Sequence, residues 1–354
     1  MKSPPGRRTR CRLLPHRARR GLRPLAGLVL AVFAAAAAAD PVRIAGVSHL
    51  GDLPTFVAED QGLFAEAGLD VSVSRLADGR RAIERLRART ADFALTTLTP
   101  LVLDRLDHTG PQGSKDPVIL ASLVQPPRLN QIVTLAGTGI ERPADLAGRR
   151  LGLTRGTNAE FHWWLFARFH GLDPAAVEVV DLDKEALDGA LEQGRIDAAV
   201  LWQPWTARLQ ARVGDRLRAL EDAALYDTHW VLVTRRATAQ KRARLCGAVL
   251  RAYTQAIEQI EHEPMLALER FRRTRVLDAA LPAPEGDPFE FRVHLDWSTL
   301  VALGQQFDWA RATDRGSGER APSVLAMLAP GPLRRASPRA VNVAADLLET
   351  EGAP

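Results

Sequence analysis

Cysteine is nearly absent: 354 residues contain two, Cys11 and Cys246. Cys11 falls in a leading stretch that reads as a removable address, so the mature chain keeps one, which excludes an intramolecular disulfide and a metal site built of cysteines. Acid is missing from residues 1–39, which carry nine Lys or Arg (Lys2, Arg7, Arg8, Arg10, Arg12, Arg17, Arg19, Arg20, Arg23), then an apolar run from Leu25 to Phe33 and a string of alanines. A basic segment, an apolar core and small residues at Ala37, Ala38 and Ala39 predict a secretory signal peptide cleaved before Asp40. The apolar core is short for a membrane span; a retained anchor is the competing reading. A lipid-modified cysteine would follow the apolar run, whereas Cys11 precedes it, so a soluble exported protein is expected rather than a lipoprotein. No second stretch approaches a membrane span, and neither a solenoid repeat nor a low-complexity block occurs outside the alanines.

A basic excess is also lacking once the leader is set aside. The formal charge is +5, but nine of the 47 basic residues and none of the 42 acids lie in residues 1–39, leaving 38 against 42 and a balance of −4. No nucleic-acid partner is expected. About 315 residues remain, enough to bury a large core and divide into two lobes. Catalytic signatures are thin as well. The eight histidines show no HExxH or paired-ligand spacing, so no zinc is expected. No G-x-S-x-G elbow marks a nucleophile and no GxxxxGK[ST] marks a phosphate loop. Cys246, mid-helix among Leu245, Val249 and Leu250, reads as core. No enzyme, cofactor or metal is expected.

What is present is an alternation of strand-like and helix-like segments from Val42 onward, the pattern of a parallel or mixed sheet covered by helices. VRIAGV (42–47), VSVSRL (71–76), the run to Thr96, PVILASLVQ (117–125), QIVTLAG (131–137), the strand before Gly156, VEVVDL, DAAVLW and HWVLVTR (229–235) read as strands. Helices are expected over 53–68, 80–89, from Thr99-Pro100, after Gly156, over KEALDGALEQG and PWTARL, in one long stretch ended at Pro264, and over 293–310. Residues 281–288 read as a loop and the end of the chain as a poorly packed wrap or tail.

GLFAEAGLDVSVSRL, the ADFALTT strand end, ADLAGRRLGLTRGTNAEF and HGLDPAAVEVVDL…ALEQGRIDAAVLWQPW together resemble the periplasmic substrate-binding proteins of ABC importers. Within these they are most similar to the nitrate, sulfonate and taurine group, which includes binders of thiamine pyrimidine precursors. The resemblance runs in order from about Val42 to Trp309. It implies a type II periplasmic-binding fold: two α/β lobes joined by two crossovers, with a ligand cleft between them that closes by hinge motion. Crossovers near Leu135 and Trp230 would give lobe 1 residues 40–135 and 231–320, lobe 2 residues 136–230, and a tail 321–354. The implied function is export to the periplasm, capture of a small organic anion (sulfonate, taurine or nitrate-like) by cleft closure, and delivery to an ABC permease, as a monomer. The alternatives are a binder of a pyrimidine or amine-bearing precursor, a periplasmic sensor, and an enzyme like those that make the thiamine pyrimidine.

Ligands of open α/β sheets sit beyond the C-terminal strand ends, where helix N-termini present unpaired N–H groups. Four connections qualify: Ser48, His49 and Leu50; Thr96 and Thr97; Gly156, Thr157 and Asn158; and Trp202 and Gln203, with Trp230 as a further wall that could stack on a planar ligand. Thr157 and Glu160 fit the capping box S/T-x-x-E. Trp205, Trp163, Trp164 and His162 read as core or groove residues. Glu160 discriminates between ligands: taken up by its cap it permits an anion, and free it points to an amine.

Overall fold

The computed structural model describes residues 41–108, 113–126, 129–203, 205–220, 225, 226, 228–273, 289–315 and 323–343. The expected leader, the loop 281–288, Pro204 and both ends of the expected tail lie outside them. Twelve strands are present among the described residues: β1 Val42–Val47, β2 Val71–Leu76, β3 Phe93–Thr97, β4 Pro117–Gln125, β5 Asn130–Leu135, β6 Arg150–Leu153, β7 Glu178–Asp181, β8 Ala198–Trp202, β9 Leu217–Ala219, β10 Trp230–Arg235, β11 Glu290–Asp296 and β12 Val341–Asn342. They form two sheets, of order β12-β11-β4-β10-β3-β1-β2 and β7-β6-β8-β5-β9.

Each sheet is parallel where strands alternate with helices and antiparallel where the chain crosses over. β1 runs parallel to β2 and β3, while β10 is antiparallel to both β3 and β4. In the second sheet β6 is parallel to β7 and β8, and β5 is antiparallel to β8 and β9. Strands covered on both faces are buried throughout: β8 is apolar and buried at every residue, and β3 is buried from Phe93 to the two threonines that end it. The edge strand β2 instead alternates half-buried and exposed over its first four residues, as an edge covered on one face should.

Five sequence expectations need correction. The strand Asn130–Leu135, expected in lobe 1, pairs with β8 and β9, so the first crossover lies between Gln125 and Asn130 and not near Leu135. Sheet membership depends on pairing with distant strands, which local periodicity does not report. The helix expected over 53–68 is two, Leu53–Asp60 and Leu63–Glu66, because Gly62 takes a left-handed φ of 71° that ends a helix. The helix expected over 293–310 begins at Trp297. Asp296 caps it by accepting the Ser298 N–H at 3.0 Å, and residues before it belong to β11. The tail is packed where it is described: Met327, Leu328, Leu333 and Val343 are buried, and β12 joins the first sheet beside β11.

The expected long helix stops at Pro264 but is preceded by a separate short one: Arg236–Lys241 and Ala243–His262. Pro264 opens a further helix, Pro264–Arg273, at the first helical position, where its missing N–H costs nothing. Cys246 is fully buried in Ala243–His262, its Sγ directed at the Thr238 carbonyl.

Candidate functional site

The C-terminal ends of β1, β3, β6 and β8 each lead into a helix: Leu53–Asp60 after a short turn, Leu98–Asp107, Asn158–Phe169 and Trp205–Val213. These ends converge between the lobes on one small cavity of about 10 Å³, room for about one water at most. Of the eleven expected contacts, His49, Thr97, Thr157, Asn158, Trp202 and Trp230 line it. Asp78, Gly79, Pro100 and Leu129, which sequence reasoning did not single out as contacts, complete the wall.

The remaining five lie elsewhere. Ser48 is half-buried and its N–H donates to the Leu76 carbonyl, while Leu50 is buried core. The Thr96 hydroxyl donates to the Thr97 carbonyl at 3.0 Å and lies against Gly79, where any Cβ would meet it at 2.3 Å. Gln203 is half-buried and outside the cavity wall. Gly156, at φ 74°, lines a wider outer groove of about 850 Å³ with Arg80, Arg155, Asp183 and Arg315.

The turn before Asn158–Phe169 is a cap, with a partner scheme different from the expected box. Thr157 Oγ1 accepts the Ala159 N–H at 3.3 Å and donates to the Thr154 carbonyl at 2.7 Å. Glu160 accepts the Gly156 N–H at 2.9 Å and pairs with Arg155 at 3.1 Å and with Arg315 at 2.9 Å. Arg315 follows the helix Trp297–Ala312, which packs mainly on Leu98–Asp107 of the first lobe, so this contact spans the lobes, and the carboxylate is engaged by two guanidinium groups and a backbone N–H. Asn158 donates to Asn130 at 3.0 Å, and Asn130 donates to the Tyr226 hydroxyl at 3.2 Å. Asn130 begins β5, just beyond the first crossover, and Tyr226 lies just before β10, in the second. A lobe 1 link joins the same two segments, since the Gln125 amide donates to the His229 ring at 3.2 Å.

His49 is buried edge-on to Trp230, with ring centroids 4.7 Å apart. Burial, and secondarily the Lys184 charge, push its pKa well below the usual imidazole range, so it enters the site neutral. His162 is also neutral: burial lowers it to about 4, and its ring packs 6.2 Å from Tyr226. Trp230 is buried and its Nε1–H has no acceptor among the described residues, a donor with capacity for a ligand. Thr97 stands at the N-cap of Leu98–Asp107 but makes no side-chain cap bond. Asp78, by contrast, is committed: it accepts the Arg81 N–H at 3.0 Å and pairs with its guanidinium at 3.3 Å.

Lys184 is a further element that sequence reasoning missed. Its ammonium donates from lobe 2 to the Ala77 carbonyl of lobe 1 and lies 4.2 Å from the Trp205 ring centroid. Burial lowers its pKa. With Arg81–Asp183 at 3.6 Å and the Phe161–Trp309 ring contact at 5.4 Å, it shuts the lobes against each other.

A putative binding protein of Brucella abortus is 26% identical over 174 residues, 49% of this chain and 51% of that protein; the chain thus spans about half the length of the first curated relatives it matches. The taurine-binding periplasmic protein of Escherichia coli is 24% identical over 237 residues, 66% of this chain and 71% of that protein. The crystal structure of the periplasmic aliphatic sulphonate binding protein SsuA from Escherichia coli superposes with a TM-score of 0.66 at 19% identity, covering 78% of this chain and 89% of that one, which shows the periplasmic-binding fold. The family model described as NMT1/THI5 like matches residues 51–267, more than half of the chain, and the protein belongs to that family.

Proposed function

We propose that the protein is an exported solute-binding protein that takes up a small organic anion, of sulfonate or taurine type, in the cleft between its lobes and presents it to an ABC permease, without chemistry on the ligand. The observation that carries this reading is the balance of groups at the strand ends. Trp230, whose Nε1–H lacks an acceptor among the described residues, and Thr97, whose hydroxyl makes no cap bond, line the cavity beside the start of the helix Asn158–Phe169, while the nearby carboxylates Glu160 and Asp78 are already held by arginines and backbone N–H groups. Such a wall favours an acceptor-rich ligand. A free Glu160 would have favoured an amine, and it is not free. The names of the taurine-binding relative and of SsuA support the same ligand class.

A cavity of about 10 Å³ admits no sulfonate, so loading requires the lobes to part and reclose, the hinge motion of two-lobed binders. A melting panel of taurine, ethanesulfonate, nitrate, bicarbonate and a hydroxymethylpyrimidine tests the class: at ~100-fold excess over Kd the true ligand adds about 2.7 kcal/mol to stability. The expected outcome is a rise with the sulfonates. A rise with the pyrimidine alone, or with none of the five, rejects the assignment. Mass spectrometry of the recovered ligand should return it unaltered, and N-terminal sequencing of the exported protein should begin at Asp40.

A further inference from the structure

Lys184 opens the helix Lys184–Glu192 on lobe 2 and is one of four lysines in the chain. Its side chain is 4% exposed, and the carboxylate nearest it, Glu185 at 3.7 Å, is itself 56% exposed. The ammonium otherwise has the Ala77 carbonyl and the face of Trp205. A buried ammonium held by a carbonyl dipole, a ring face and one solvated carboxylate is poorly compensated. The other charges around it do not supply the deficit. Asp78 is taken up by Arg81, Arg81 carries the same sign as Lys184, and His49 is neutral.

The geometry also says what must change on loading. His49 and Asp78, which interact electrostatically with Lys184, line the cavity of about 10 Å³. In the same measure of free space one water needs about 10–15 Å³, and a sulfonate head with three oxygens needs several times that. The lobes of any loaded form therefore stand farther apart at this point than they do here. Ala77 and Lys184 sit on opposite lobes and separate with them, whereas Trp205 shares the lobe of Lys184 and stays beside it. The ammonium then loses its carbonyl acceptor at the moment an acceptor-rich ligand arrives.

We propose that Lys184 is the charge partner of the bound anion: the Ala77 carbonyl occupies in this closed arrangement the place that a ligand oxygen takes in the loaded one. This rests on the reading of the cleft as an anion site and adds to it the residue that neutralises the anion. It makes the cleft selective for a full negative charge over a neutral ligand of the same shape. It also gives this closed arrangement a bond that the loaded form replaces with a stronger one, in which both partners are charged.

Calorimetric titration of the full chain with ethanesulfonate tests it, using wild type, Lys184→Gln, Lys184→Met and Lys184→Arg. Gln keeps a donor for the Ala77 carbonyl and Met keeps the apolar stem, yet both lack the charge. Each should bind ethanesulfonate on the order of 30-fold more weakly, the loss of one hydrogen bond to a charged group, while Arg stays within about fivefold of wild type. Gln and Met variants that bind as tightly as wild type overturn the role of Lys184 and leave the anion reading standing. A wild type that binds neither ethanesulfonate nor taurine overturns both. A crystal structure of the wild-type complex decides independently of how the variants fold: Nζ at about 2.8 Å from a sulfonate oxygen supports the assignment, and Nζ still on the Ala77 carbonyl overturns it.

Discussion

Asp52 is buried behind β1, with Oδ2 accepting the Val47 N–H at 3.2 Å and Oδ1 without a partner among the described residues. Burial pushes its pKa from 3.8 up to about 7, against the opposing pull of Thr55, Arg75 and the Val47 N–H. Between those two values the folded chain holds a proton that the unfolded chain has released. Stability therefore falls as pH rises through that window and levels off above it. Asp52→Asn keeps an acceptor for Val47 and cannot ionise, so it should abolish a decline on the order of 3 kcal/mol, read from urea melts at about pH 4.5 and 8. Equal declines in both proteins would remove Asp52 from the account. At this scale the sequence shows chemistry only where it is local. Thr97 and Trp202 were legible because they end strands, and His49 because it lies just beyond one. Asp78 and Lys184 start helices, and nothing local sets them apart from solvated helix ends except that a lysine in a first helical turn opposes the helix dipole.

The helix Asn158–Phe169 shows what an element reveals and what it hides. Its strand, turn and cap could be read directly from LTRGTNAEF, since Gly156 permits the left-handed turn and Thr157 supplies the cap. Thr157→Ala removes both hydroxyl bonds of that cap and should cost about 1 kcal/mol in urea unfolding; an unchanged midpoint would mean that Glu160 and its arginines hold the turn alone. The partner of Glu160 was not legible, because Arg315 lies 155 residues away and only the folded chain brings them together. The same limit explains β5: its apolar run marks a strand, but nothing local assigns it to the second sheet. The break at Gly62 was within reach, as a glycine after Gln61 inside a helical pattern is a stop signal.

Across the whole molecule, Lys184–Ala77, Arg81–Asp183 and Arg315–Glu160 clamp two lobes that share no sheet. Arg81 and Asp183 are 38% and 65% exposed, so salt screens them, whereas Glu160 is 9% exposed and its pairing with Arg315 is better sheltered. Arg315→Ala leaves Glu160 with Arg155 and the Gly156 N–H and so leaves folding nearly unchanged. It should weaken closure by about 1 kcal/mol, roughly a fivefold shift toward the open form, seen as a larger radius of gyration in small-angle scattering of the unliganded protein. Superimposable scattering curves would show that this pair does not hold the cleft. Three of the seven tryptophans, Trp202, Trp205 and Trp230, stand around His49 at the point where the lobes meet. Indole emission follows the polarity and hydrogen bonding around the ring, so opening, filling and reclosing this cleft each change the light the protein gives off. It carries its own optical gauge of occupancy and needs no attached dye to be titrated.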